Sequence, residues 1–425
     1  MEEKTMRPVA KHASEPKLRF PEFQNAGGWE EKKLGEISQI VRGGSPRPIE
    51  NYLTTDAKGL NWLKIGDVSQ EEKYVTHTKE KVCVDALTKT REVNPNDLIL
   101  SNSMSFGRPY ILKIKTCIHD GWIAVSKIDN SVNVDYLYYF ILSPSSQSYF
   151  SNNAAGSGVQ NLNADIIKLL PTSIPKLPEQ QKIANCLSSI DELTTAEAKK
   201  LDTLKAHKKG LMQQLFPAEG ETLPKLRFPE FRDAGDWEKK VLGQIGDVLM
   251  CKRIFAEETN HTEGVPFFKI GTLGGKSDAF ISKKLFDEYK SKYNFPRKGE
   301  ILITCSGTVG KCLLYDGKDA YYQDSNIVWI DNPTLEVSNE FLHKILLNVD
   351  WGTLNSTTIT RIYGSDLRNL SIIFPTNQSE QQKIADCISS IDKLITAQTQ
   401  KLDALKAHKL GLMQQLFPAL DEVNE

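Results

Sequence analysis

The chain repeats itself, and the repeat splits it into two frames that enclose different inserts. KLRFPEF stands at 17–23 and again at 225–231. The match runs on through Trp29 and Trp237 to Leu34-Gly35 and Leu242-Gly243, with 15 of 21 positions alike between 17–37 and 225–245. A second block opens with EQQKIANC at Glu179 and EQQKIADC at Glu380, and both copies close on KAHK-x-GLMQQLFPA. Between 179–218 and 380–419, 31 of 40 positions agree without a gap. The register changes from 208 at the first block to 201 at the second, so the second insert is seven residues shorter. Structural-repeat arrays have periods of roughly 20–50 residues, so a period near 200 means duplicated domains. The chain divides into a leader (1–36), a first variable domain (37–176) and a first conserved helix (177–217). A linker repeating the leader (218–244), a second variable domain (245–377), a second conserved helix (378–418) and a tail (419–425) follow.

The block from 179 to 216 reads as one helix. Its apolar residues are Ile183, Leu187, Ile190, Leu201, Leu204, Leu211 and Leu215. The second copy has Ile384, Ile388, Ile391, Ile395, Leu402, Leu405, Leu412 and Leu416. Steps of four and three are the spacing of a coiled-coil seam. Some thirty-five residues at 1.5 Å rise predict a rod of roughly 50 Å. The simplest way to bury the seam sets the two copies antiparallel against each other, with a pseudo-two-fold axis; the alternative packs each helix on its own variable domain. Glu197, Gln398, Lys208 and Lys409 interrupt the seam, and either set its register or lie on solvated edges, the plainer expectation. His207 and His408 read as surface positions. Trp29 and Trp237 either pack on their own head, the plainer reading, or dock a partner.

The two inserts share an order of elements. The first has strand-like runs NWLKI, DLILS, YILKI and WIAVS, broken by Gly, Pro, Asn and Asp, then a helix candidate at 134–143. The second has PFFKI, EILITCS, KCLLY and NIVWI, then a helix candidate at 339–347. Both are expected to be α+β domains of one fold with diverged surfaces.

Several function classes drop out. No run of eighteen apolar residues exists, so no membrane span is expected. The N-terminus lacks the apolar core and cleavage site of a secretory signal. Seven cysteines without a CxxC pair suit a reducing, cytoplasmic setting better than a disulfide framework or a zinc site. GGKS at 274–277 lacks the glycine that a phosphate loop requires five places before its Gly-Lys pair. SGTVGK at 306–311 fails on spacing and reads as a turn between strands. No metalloprotease, deaminase or amino-methyltransferase motif is visible. This chain is expected to do no chemistry itself.

The leader KLRFPEF…WE, the EQQKIA helix opening and the duplicated frame together resemble the specificity subunit of type I restriction–modification systems. The opening VRGGSPRP…NWLKIGDV at 41–68 is similar to the start of a target-recognition domain of that family. The resemblance covers nearly the whole chain. It implies two target-recognition domains, each reading one half of a bipartite double-stranded DNA site, joined by antiparallel helices that set the gap. The rod of roughly 50 Å exceeds one turn of B-DNA, about 34–36 Å. It further implies two modification subunits, which methylate adenine with S-adenosylmethionine, and two ATP- and Mg2+-dependent restriction subunits. No cofactor or metal is expected on this chain. Two other readings stay open: a stand-alone DNA-binding regulator and a non-catalytic helical adaptor.

Charge qualifies the resemblance. The formal net charge is −1. Lys and Arg number 15 against 13 Asp and Glu in 37–176, and 15 against 16 in 245–379. Phosphate neutralisation supplies most non-specific affinity for DNA, so the lone chain should bind weakly.

Base reading calls for Arg or Lys at guanine, Asn or Gln at adenine, and small hydroxyls as adapters. In the first head the candidates are Arg42, Ser45 and Arg47 in the glycine-freed opening loop, then Asn102, Ser105 and Arg108, then Gln160 and Asn161. In the second head they are Lys252 and Arg253, then Ser306, Thr308 and Lys311, then Gln323 and Asn326, then Arg361 and Tyr363. Arg42, Arg47, Arg108, Arg253, Lys311 and Arg361 stand first, with phosphate contact as open as base contact.

Overall fold

The computed structural model describes residues 15–102, 106–154, 162–352 and 361–419. Contacts divide the chain into two units, Met1–Ala198 with Gln400–Glu425, and Lys199–Thr399. The division runs through both long helices, Leu177–Leu215 and Gln378–Leu416, each of 39 residues. Each unit thus holds one head, the start of one long helix and the end of the other.

In unit one, two five-stranded sheets build the head. One has the order Gln39–Arg42, Trp122–Ser126, Leu98–Ser101, Pro109–Leu112, Tyr74–Val75. The other runs Leu53–Thr54, Glu80–Val82, Leu60–Leu63, Thr116–Ile118, Arg91–Val93. The three central strands of the first sheet, Trp122–Ser126, Leu98–Ser101 and Pro109–Leu112, are buried on both faces, which explains why they are near-continuously apolar rather than alternating. Leu98, Leu100, Ile111, Ile123 and Val125 face the helix Val134–Leu142. Their neighbours Ile99, Tyr110, Leu112, Trp122 and Ala124 face Leu63, Val93 and Ile118 of the second sheet.

Unit two has the same plan with four strands per sheet. One sheet is Asp247–Leu249, Ile327–Asp331, Ile301–Thr304, Cys312–Leu314; the other is Thr259–Asn260, Ala279–Ile281, Val265–Phe268, Tyr321–Tyr322. The two heads share a parallel pair at the matching place, Leu60–Leu63 with Thr116–Ile118 and Val265–Phe268 with Tyr321–Tyr322; the first head adds a second, Tyr74–Val75 with Pro109–Leu112. The expectation of one fold with diverged surfaces holds. Among the described residues the differences include edge strands and a helix, Pro144–Asn153, in the first head and a ten-residue helix, Lys283–Lys292, in the second. The first head has a short 3-10 turn, Val84–Thr88, at that point.

Both expected ways of burying the helical seam occur together. In unit one, Ile183, Ala184 and Leu187 share a core with Met413, Leu416 and Phe417 and with Tyr136 and Phe140 of the head. In unit two, Ile384, Ala385 and Ile388 share one with Met212, Leu215, Phe216, Trp237 and Phe341. The pairing inside each unit is antiparallel. In unit one, position numbers rise on one helix as they fall on the other, from Asp191 with Lys409 to Glu197 with Lys401. In unit two Lys208 reaches Asp392 at 2.6 Å. The polar interruptions are therefore not solvated edges: Glu197 and Gln398 are buried, and Lys208 and Lys409 are ion-paired. An isolated charge is costly to take out of water, so Glu197, Lys208 and Lys409 carry oppositely charged partners across the seam.

The repeated motifs turn out to close the frame. Arg19 donates through Nε and NH2 to both oxygens of Glu179, at 2.7 and 2.8 Å, and through NH1 to the Gly27 carbonyl. Trp29 Nε1 donates to the same carboxylate at 3.3 Å. Arg227, Glu380, Gly235 and Trp237 repeat this in unit two at 2.7, 2.8, 2.7 and 3.4 Å. The carboxylates are 1% and 0% exposed, and the bidentate bond holds each guanidinium pKa above its ordinary value. The next residue, Gln180 or Gln381, is buried and binds the head's backbone. Gln180 accepts from Asn133 N and donates to the carbonyls of Ser131 and Pro175. Gln381 does the same with Ser338, Glu336 and Pro375. Trp29 and Trp237 are core residues, in ring contact with Tyr136 and with Phe216 and Phe341.

Candidate nucleic-acid interface

In the first head, three chain segments converge beyond the ends of the central strands. The loop after Gln39–Arg42 folds back tightly. Gly43 N donates to Trp122 O at 2.8 Å, and a Cβ at Gly43 would sit 2.2 Å from the His119 carbonyl, so only glycine fits. This brings Arg42, Ser45 and Arg47 around Asp120, in the turn before the strand Trp122–Ser126. Arg42 Nε donates to the Asp120 carbonyl at 2.8 Å. Ser45 Oγ donates to Oδ1 at 3.0 Å, Arg47 NH2 lies 3.3 Å from Oδ2, and His119 Nδ1 lies 3.0 Å from Oδ1. Partial burial opposes ionisation of Asp120. The Ser45 bond and the charges of His119, Arg42 and Arg47 outweigh it and hold the carboxyl below its ordinary range.

The second segment follows Leu98–Ser101. Asn102 N donates to Gly121 O at 3.0 Å and its side-chain amide to Asp120 O at 3.2 Å, so Asn102 is buried and turned inward. Its carbonyl accepts from Leu162 N at 3.0 Å, which brings in the third segment. Gly107, at φ +68°, returns the chain to Arg108, whose guanidinium lies 5.7 Å from the Tyr110 ring centre. Ser105, Gln160 and Asn161 lie outside the described residues.

The second head assembles the same three segments from other residues. Arg253 Nε donates to Asp324 Oδ2 at 2.8 Å. Cys305 N donates to Asn326 O and Ile362 N to Cys305 O, both at 2.8 Å, in the places of Asn102 and Leu162. Ser306 donates to Asn326 Oδ1 at 2.7 Å and its backbone bridges Arg361. Arg361 reaches the Ser325 carbonyl at 3.4 Å and lies 5.7 Å from the exposed Tyr363 ring. Gly310, at φ +78°, precedes Lys311 as Gly107 precedes Arg108. Lys311 Nζ is folded onto the Leu273 carbonyl. Thr308 is exposed, Gln323 N donates to Phe268 O, and Lys252 Nζ lies 5.5 Å from the Tyr293 ring centre.

Asp120 and Asp324 escaped the sequence reading, because an acid in a short turn looks like a solvated cap. A signal existed: each is the second residue of the loop that enters a strand next to the middle of the head's main sheet, Trp122–Ser126 or Ile327–Asp331. Among the described residues no group of three or more His, Cys, Asp or Glu is placed to hold a metal ion, and no helix is long and apolar enough to cross a membrane.

Each cluster offers guanidinium forks, hydroxyls and a carboxylate on a backbone scaffold. That suits hydrogen bonding to a polar ligand. Comparison with known proteins points the same way. Residues 26–206 and 234–407 each match the family model described as the type I restriction modification DNA specificity domain. A type I restriction enzyme specificity subunit of Haemophilus influenzae is 34% identical, over 64% of this chain and 67% of its own. The MjaVIII type I restriction enzyme specificity subunit of Methanocaldococcus jannaschii is 24% identical, over 94% of this chain and 93% of its own. Among solved structures, the S subunit of a type I restriction–modification system from M. genitalium superposes with a TM-score of 0.59. It covers 95% of this chain and 99% of its own at 15% identity, a likeness of fold.

Proposed function

The chain belongs to the type I restriction–modification DNA specificity family, and on that premise we propose that it is the subunit through which such a system finds its site. Each head reads one half of a bipartite duplex sequence. The observation that carries this reading is the pairing of a near-identical frame with two heads whose loop clusters keep one plan in different residues. Arg42, Arg47 and Arg108 in the first head, and Arg253, Lys311 and Arg361 in the second, are the cationic contacts. Phosphate contacts position a protein, and base contacts specify the sequence.

Catalysis belongs to partners. Two modification subunits supply adenine methylation with S-adenosylmethionine, and two restriction subunits supply ATP- and Mg2+-dependent cleavage. No residue of this chain is assigned to those groups. The frame gives two near-identical surfaces, which suits two copies of one partner. The balanced charge of both heads supports weak DNA binding by the lone chain and argues against a stand-alone regulator.

The test is a head exchange. Residues 37–176 are replaced by the corresponding head of a relative, and the methylome is sequenced in cells that also carry the methylating partner. One half of the methylated motif should change and the other stay. An unchanged motif would overturn the reading and favour a non-DNA adaptor.

A further inference from the structure

We infer that Arg42 and Arg253 each read a guanine, and that Asp120 and Asp324 steer these arginines toward base edges and away from phosphate. The inference rests on the function proposed above and narrows it to one arginine–aspartate couple per head. Both arginines are anchored through Nε, Arg42 on the Asp120 carbonyl and Arg253 on the Asp324 carboxylate, each at 2.8 Å. A guanidinium is planar, so fixing Nε orients the outer edge that carries NH1 and NH2. Among the described residues neither arginine gives NH1 or NH2 a hydrogen-bond partner. A free two-pronged donor on an anchored stem matches the O6 and N7 acceptors of guanine in the major groove.

The other cations fit this role less well. Arg47 spends a terminal nitrogen on Asp120. Arg108 and Arg361 lie near aromatic rings, with Nε buried and unpartnered among the described residues. Lys311 is folded onto a carbonyl of its own head.

The aspartate selects the ligand. A carboxylate beside the fork repels a phosphate and leaves a neutral base edge acceptable. It is also an acceptor, matching the N4 amino group of the cytosine paired with that guanine. The two inserts have lost most of their common sequence, yet each keeps this couple, and each builds it differently.

The test uses the chain assembled with its methylating partner, after methylome sequencing has given the wild-type motif. Duplexes carrying 7-deazaguanine at single guanines remove one N7 at a time. For the wild type, one such replacement in each half-site should lower methylation roughly tenfold. Arg253→Ala should abolish that sensitivity in one half, accept any base pair there, and leave the other half unchanged; Arg42→Ala should do the reverse. Arg253→Lys and Arg42→Lys keep the charge and lose the planar fork, so they should keep only part of the wild-type selectivity at that base pair while guarding against misfolding. Asp324→Asn should raise affinity for unrelated DNA. The inference is overturned if a half-site holds no guanine on either strand, or if the variants keep full selectivity. A uniform loss of affinity with a shallower salt dependence, the mark of a phosphate contact, overturns it as well. An exchange of residues 245–377 serves as the control. A motif that moves on exchange but not in Arg253→Ala sinks only the guanine assignment, whereas one that does not move on exchange sinks the proposed function.

Discussion

The clamp at the mouth of each frame and the loop cluster at the end of each head are both duplicated, but to different tolerances. The clamp repeats atom for atom: Arg19 on Glu179 and Arg227 on Glu380 share the bond lengths 2.7 and 2.8 Å. The cluster repeats only its plan. Arg42 grips a backbone carbonyl where Arg253 grips a carboxylate, and Asn102 stands where Cys305 does. Burial explains the difference. A carboxylate shut away from water cannot lose its partner cheaply, whereas ion pairs at the surface are worth little and can be rebuilt. The sealed ion pair of each clamp is thus kept residue for residue, whereas the arginine–aspartate contacts of the exposed loops are rebuilt.

The largest predicted effect tests the clamps against each other. Glu179→Ala and Glu380→Ala should each destabilise their own unit by about 3–5 kcal/mol, because each strands a guanidinium and a tryptophan N–H. Hydrogen exchange of core amides resolves the two units, and losses that differ widely would break the equivalence of the frames.

A second pair of substitutions separates the units. Asp392 takes both Lys208 and Lys344, the latter 6% exposed, whereas Asp191 takes Lys409 and the Tyr139 hydroxyl. Asp392→Asn should cost about 2 kcal/mol, below the range for a fully buried pair because Asp392 is a third exposed; Asp191→Asn should cost less. Burial pushes the Asp392 carboxyl up, but hydrogen bonds from Lys208 and Lys344 outweigh it and lower its pKa. The contribution is thus complete above the unfolded carboxylate pKa of about 4 and lost as pH falls through the lower folded value. Unfolding free energies of wild type and Asp392→Asn should differ steadily from pH 5 to 7 and converge in acid. A difference that persisted in strong acid would contradict the ion-pair account.

Smaller effects sharpen the comparison. Gly210 and Gly411 lie within helices, and a Cβ there meets nothing within 4 Å. Alanine at either should raise stability by about 0.5–1 kcal/mol, read as a higher melting temperature. Opposite signs would show that the frames differ. The smallest effect on stability is expected at Arg47, whose side chain is 81% exposed. Arg47→Ala should leave melting unchanged while weakening site-directed methylation by the assembled complex; unchanged methylation would remove it from the contact set.

Much of the fold was legible in local pattern. The long helices follow from heptad spacing, and the eight strand runs and the helices at Val134–Leu142 and Asn339–Leu347 from apolar stretches bounded by turn formers. The strands Leu53–Thr54, Tyr74–Val75 and Arg91–Val93 are too short for any alternation to register. Lys283–Lys292 hides its one buried residue, Phe286, among charges. The role of the EQ pair was not readable, because Glu179 meets Arg19 160 positions away and a polar pair at a helix start looks like a cap. In the candidate site the arginines were legible by type and position. Asp120 and Asp324 were not, because their meaning comes from what folds around them.

The cut of both long helices between units has a consequence for synthesis. Unit two is one uninterrupted stretch, Lys199–Thr399, and its core is complete once the chain has grown past Ile388. Unit one must wait. Met413, Leu416 and Phe417, which share a core with Tyr136 and Phe140, leave the ribosome only after all of unit two. The first head to be translated is therefore the last to be sealed, and in the interval Tyr136 and Phe140 lack the apolar cover that Phe417 gives them.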